Sequence, residues 1–137
     1  MITDFWLADN TLLVTRYTGR VTGADLLNAT LKKSGDMRLD CALFILADWS
    51  RVEQVQVTPE DVRQLVACLR PISRICPNAR NASIVNPDRS GNALIAWYKF
   101  LADDLSWKVD IFHSHQQAID WCPDYKEFLH ANPLHQV

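Results

Sequence analysis

Cys41-Ala42-Leu43-Phe44-Ile45-Leu46-Ala47-Asp48-Trp49-Ser50 is the stretch on which the fold turns. Seven apolar residues in a row are too few for a helix of ordinary length. Their unbroken character suits a central strand covered on both faces. The run stops at an aspartate, a tryptophan and a serine, which this reading puts at the strand's carboxyl end. Open α/β sheets bind their ligands at such ends. The stretch therefore indicates a place and leaves the chemistry open.

On its amino-terminal side, Thr3 to Ala8 and Thr11 to Gly19 both read as strands, with Asp9-Asn10 as the turn of a hairpin. Leu13, Thr15 and Tyr17 fall on one face of the second strand, and Leu12, Val14 and Arg16 on the other. Thr22 with Asp25 three residues on is a variant of the capping box, opening a helix that Gly35 can close. On the carboxyl side, Arg51 to Val57 reads as a polar loop. Thr58-Pro59-Glu60-Asp61 then supplies an N-cap, a proline at the first helical position and two acids in the first turn. Val62, Leu65, Val66, Leu69 and Ile72 recur at helical spacing until Pro71, which is expected to kink or end the helix.

Further on, Arg80 to Asn86 reads as a short strand and Asp88 or Ser90 as the cap of a third helix with Leu94, Trp97, Tyr98 and Leu101 inside. Trp107 to His113 reads as a last, edge strand with Lys108 and Asp110 toward water. Ser114 with Gln117 opens a short helix, and one more helical turn precedes a polar tail. The order β-β-α-β-α-β-α-β-α predicts a single α/β domain over 1–137. Its sheet is mixed and mostly parallel, with about five strands and an antiparallel first strand.

Composition narrows the function. Hydrophobic residues make up 48% of the 137 and charged residues 22%, with a net charge of −2, so no basic field recruits nucleic acid or an anionic membrane. No apolar run is long enough to span a bilayer, and Met1-Ile2-Thr3-Asp4 is not the start of a signal peptide. A cytoplasmic location is the expectation. Cysteines at 41, 68, 76 and 122 have neither disulfide-scaffold nor zinc spacing. Cys41 at the start of the buried strand and Cys68 on a helical stripe read as small hydrophobes.

Chemistry-bearing motifs are few. Four scattered glycines exclude a phosphate-binding loop of the P-loop or dinucleotide kind. Pro87 to Asn92 is the nearest approach to an anion site, at a strand end and a helix start, but capping accounts for its residues. His113 and His115 have the spacing of metal ligands on a strand; at a strand-to-helix junction their rings are expected to part. Arg63, Arg70 and Arg74 share an outer helical face and read as solvated. A hydrolase would rest on Ser50 beside Asp48, or on Cys122, and neither has a base at recognisable spacing. The third helix is apolar nearly all round: Ile95, Phe100 and three alanines join its inner stripe. That arc exceeds what one sheet covers, so it fits a core between helices, a pocket or a subunit interface.

Tyr17-Thr18-Gly19, Val21 to Asp25, the strand closing on Asp48-Trp49, Thr58 to Asp61, Val109 to Phe112 and Gln117 to Trp121 together resemble the small bacterial SpoIIAA-like proteins. These are related to STAS domains and, more distantly, to Sec14 (CRAL-TRIO) lipid-binding domains. The resemblance spans nearly the whole chain. It implies a β-α superhelix with helices mainly on one face of the sheet, and a non-enzymatic regulatory or binding role without cofactor or metal. It also implies a protein partner or, alternatively, a small apolar, lipid-like ligand. In the anti-sigma-factor antagonists a serine near this strand's end is phosphorylated; Ser50 lies in that region but lacks the Asp-Ser motif. The expected binding residues are Asp48, Trp49 and Ser50 with Thr58, joined by Trp97 and Tyr98 of the third helix. A homodimer is the expected assembly.

Overall fold

The computed structural model describes residues 1–86 and 92–132, apart from the side chains of residues 92–94 and 97. Five strands lie side by side in chain order, β1 (Ile2–Leu7), β2 (Leu12–Thr22), β3 (Phe44–Gln56), β4 (Arg80–Ile84) and β5 (Lys108–Phe112). β1 is antiparallel to β2, and every other pairing is parallel. The helices are α1 (Gly23–Lys33), α2 (Pro59–Ile75), α3 (Asn92–Leu101), α4 (His115–Trp121) and α5 (Asp124–Ala131). A 3-10 helix, Met37–Cys41, lies between α1 and β3.

Local chemistry sets the elements. The hairpin turn carries Ala8, Asp9 and Asn10 with φ of 50°, 54° and 67°, a left-handed run that suits Asp and Asn best. Both capping boxes form: Thr22 with Asp25 opens α1, and Thr58 with Asp61 opens α2. The two helix starts are neighbours, and a Cβ on Gly23 would overlap the Asp61 carboxylate, so only glycine admits this approach. Gly19, at φ 67°, sits beside register shifts in the β2–β3 pairing.

Side chains alternate across the sheet. Leu13, Ile45, Val62, Val66, Ile72, Tyr98 and Trp107 form one core with Tyr17, Trp49 and Ile95 beside it, so α1, α2 and α3 cover that face. Leu12, Val14, Leu46, Ala82 and Ile84 meet Ala118, Cys122, Tyr125 and Phe128 on the other, under α4 and α5. Three of the five helices thus share one face.

Several expectations need correction. Arg51 to Val57 is not a loop: β3 continues to Gln56, paired with β2 as far as Thr22. The β-branched Val52 and Val55 and the pairing with the long β2 outweigh the polar residues between them. Asp48, Trp49 and Ser50 therefore lie in mid-strand; the shorter β4 ends beside them, Ile84 opposite Asp48. The apolar run does not start in the core, since Cys41 belongs to the 3-10 helix and is exposed, and Leu43 is 47% exposed. Pro71 neither ends nor breaks α2, which continues to Ile75. Pro71 and Ala67, whose carbonyl loses its partner, are both on the exposed face, where water can replace the lost bond. α1 closes at Ser34 in the right-handed region rather than at Gly35. Among the described side chains of α3 the buried ones are Ile95 and Tyr98, with Ala102 just beyond the helix; Leu94 and Trp97 fall outside the described side chains, and residues 87–91, with the expected caps Asp88 and Ser90, lie outside the described residues.

Candidate functional site

The sheet separates the expected binding residues into two groups, because neighbours on a strand face opposite ways. Asp48 and Ser50 lie on the α4–α5 side, and Trp49 turns to the α1–α3 side. Thr58 belongs to neither group: it is exposed, and its hydroxyl and N–H are engaged with Asp61 at 3.1 and 2.9 Å. It caps a helix. Trp97 lies outside the described side chains.

On the α4–α5 side a polar chain runs through an otherwise apolar layer. Asp48 is 0% exposed and faces Arg16 of the adjacent strand, Oδ2 to Nε 3.4 Å. Both guanidinium ends of Arg16 donate to the Asn132 carbonyl at 3.3 Å, and the group stacks over Phe128 at 4.9 Å. Asp48 Oδ1 accepts from the Ser50 N–H at 3.0 Å and the Ser50 hydroxyl at 2.6 Å. His115 Nε2 lies 3.1 Å from the same hydroxyl, and His115 Nδ1 lies 2.8 Å from the Tyr125 hydroxyl.

Protonation gives this chain a direction. Burial pushes the Tyr125 phenol up, and the nearby Asp48 charge adds to this, so the hydroxyl stays protonated and donates. Burial holds the His115 imidazole below its ordinary value, against the pull of Asp48, so the ring is neutral. Nδ1 then accepts from Tyr125, Nε2–H donates to Ser50, and Ser50 donates to the Asp48 carboxylate. A serine nucleophile needs the opposite polarity, with its proton facing an imidazole acceptor. In this arrangement the Ser50 hydroxyl links β3 to α4. A phosphoryl group there would sit against the Asp48 carboxylate, an unfavourable neighbour for a second anion.

A pH dependence follows with a definite sign. A histidine whose folded pKa is depressed leaves the folded state with fewer protons than the unfolded chain below about pH 6.5. Stability is full above that value and falls as pH drops through the folded pKa. Denaturation midpoints should decline between pH 7 and pH 5.5 in wild type and decline less in His115→Gln. Equal slopes would remove His115 from this role.

Other candidates resolve simply. His113 turns to the Val85 carbonyl at 3.3 Å while His115 joins the polar chain, so the two rings part as expected. Among the described residues no three His, Cys, Asp or Glu side chains stand close enough to hold a metal ion. Burial raises the Cys122 thiol, which keeps it protonated at the C-cap of α4. Among the described residues no helix is long and apolar enough to cross a membrane.

Trp49 and Tyr98 do come together, on the other side. Between the sheet and α1–α3 lies a cavity of ≈ 80 Å³, with Tyr17, Ala47 and Trp49 among its sheet residues and Val62, Ile95 and Tyr98 among its helix residues. Tyr17 and Trp49 stack within it, centroids 4.4 Å apart and planes 18° from parallel. Its few polar groups are organised: Tyr98 donates to Asn81 Oδ1 at 2.9 Å, and Asn81 Nδ2 donates to the Ile45 carbonyl at 3.2 Å. Lys33 also lines it, 3.5 Å from Asp4, whose carboxylate accepts from Thr15 at 2.6 Å. An apolar enclosure with a few fixed polar groups is the usual form of a small-molecule site.

Arg16, Tyr125 and Trp107 are not among the residues that the sequence marks as a site, and His115 stands out there only by its metal-ligand spacing from His113. Arg16 left one signal, a charged residue following Leu12 and Val14 on an inward-facing set of strand positions.

No family model matches this chain, and no curated protein matches it. Solved structures do. The anti-sigma factor antagonist SpoIIAA in its unphosphorylated form is similar over 90% of this chain and 98% of its own, with TM-score 0.57 and 12% identity. Phosphorylated SpoIIAA of Bacillus is similar over 88% and 98%, with TM-score 0.54 and 13% identity. An uncharacterized Shewanella loihica protein with a SpoIIAA-like fold is similar over 88% and 91%, with TM-score 0.53 and 18% identity. With its strand order, single antiparallel edge and helix placement, the chain has the SpoIIAA-like α/β fold.

Proposed function

We propose that this chain is a non-enzymatic binding module whose interior cavity takes a small apolar molecule. The observation that carries this reading is the largely apolar cavity around Trp49 and Tyr98. A comparable engineered cavity of about 150 Å³ holds benzene. At ≈ 80 Å³ the present one suits an occupant of a few non-hydrogen atoms, and a lipid would require α3 to separate from the sheet. The polar chain behind Ser50 supports a non-catalytic role, since its hydroxyl proton is committed to Asp48.

A second reading, regulation through a protein partner, draws on the likeness to an anti-sigma factor antagonist. A homodimer remains part of the proposal. Its basis on α3 is narrower, because Ile95 and Tyr98 are engaged in the core, while Phe100 is 71% exposed.

Native mass spectrometry of protein purified from its own host tests all three. A retained small-molecule adduct, lost in a cavity-filling Ala47→Leu variant, is the expected result. A bound polypeptide without any small adduct would favour the partner reading instead, and the mass of the major species reads the dimer directly.

A further inference from the structure

We propose that the cavity's occupant is a neutral compound bearing a hydrogen-bond acceptor, such as a small ketone, aldehyde or ether, and that Trp107 selects it. This rests on the cavity reading above and narrows it. Trp107 is 5% exposed and forms part of the cavity wall. Its indole N–H is buried without a hydrogen-bond acceptor among the described residues. Tyr98 lies beside it, yet accepts no bond of good geometry from it, and the Tyr98 proton is already given to Asn81.

Buried N–H groups are almost always paired, so an orphan in the wall of an apolar cavity marks a place for an acceptor from outside the protein. Trp121 has a similarly orphaned N–H on the opposite face of the sheet, but it does not line this cavity. Charge decides what kind of acceptor fits. A carboxylate would need a cation beside it, and the only lysine in the wall among the described residues, Lys33, is paired with Asp4. One N–H can satisfy a carbonyl or ether oxygen; it cannot compensate a buried anion. Volume limits the body to about three to five non-hydrogen atoms by comparison with the benzene-sized site.

Cyclobutanone and methylenecyclobutane share a shape and differ in one group, a carbonyl oxygen against a CH₂. Titrating each into ¹⁵N-labelled protein, with the Trp107 indole resonance assigned from a Trp107→Phe spectrum, tests the inference. Cyclobutanone should bind roughly tenfold more tightly than methylenecyclobutane and move the Trp107 indole proton downfield. In Trp107→Phe the two should bind alike. Equal binding in wild type with an unmoved Trp107 resonance overturns the acceptor role and leaves the cavity reading standing. Binding of neither probe overturns both. If Trp107→Phe fails to fold, transfer of backbone assignments to the indole identifies the resonance, and the wild-type affinity ratio and shift decide alone.

Discussion

Leu46→Asp should abolish folding, while the same change at Leu43, three residues earlier on the same apolar run, should leave a folded protein. Leu46 is 0% exposed among Leu12, Val14, Ala82 and Phe128. Full burial of a leucine stabilises by about 1.5–3 kcal/mol. An unpaired carboxylate in that layer costs several kcal/mol more, against a net stability of about 5–15 kcal/mol for a whole domain. Leu43 is 47% exposed and precedes β3, so an aspartate there meets water. The sequence alone places both leucines in the strand's interior. Circular dichroism melts separate the two readings: a cooperative transition near the wild-type midpoint for Leu43→Asp, and none for Leu46→Asp. Matching melts for both would contradict the burial pattern.

Asp48→Ala should lower stability by about 3–5 kcal/mol, the usual cost of removing one partner of a buried ion pair. The change leaves Arg16, with a side chain 14% exposed, facing no carboxylate, and takes the acceptor from the Ser50 N–H and hydroxyl. Replacing both partners by apolar residues of similar volume, Arg16→Met with Asp48→Leu, should recover much of the loss, because buried pairs cost nearly as much to desolvate as they return. Urea denaturation of the two single variants and the double provides the cycle. A loss under about 1 kcal/mol for Asp48→Ala would show that the polar chain does not hold β3 to its neighbours.

How much of this was legible beforehand depends on the range of the interaction. The hairpin turn at Asp9-Asn10, the capping box at Thr22, the helix start at Thr58-Pro59 and the alternation of Leu12 to Tyr17 across the sheet were readable, because each is decided within a few residues. The second half of β3 was not, since its strand character comes from pairing with β2 rather than from its own polar composition. Pro71 does not end α2, because its cost is small on a solvent-facing turn of an otherwise well-packed helix. Asp48, Trp49 and Ser50 stand out as a group in the sequence, yet period-two geometry sends them to opposite faces of the sheet. What completes each half lies far off in sequence: His115 is 65 positions from Ser50, and Tyr98 reaches Trp49's cavity from a separate helix. Thr58 joins that group in the sequence because a helix start near a strand's carboxyl end is often part of a site; in the structure it is exposed and caps α2.

Trp49 and Ser50 are consecutive, so the cavity and the α4–α5 layer share one strand. The most direct test of the binding claim is a high-resolution crystal structure of the protein as purified from its own host, inspected between β2–β4 and α2–α3. Continuous density for a compact molecule of a few atoms, enclosed by Trp49, Tyr98 and Trp107, is the predicted result. A space closed by repacked side chains, or holding ordered water alone, would contradict it.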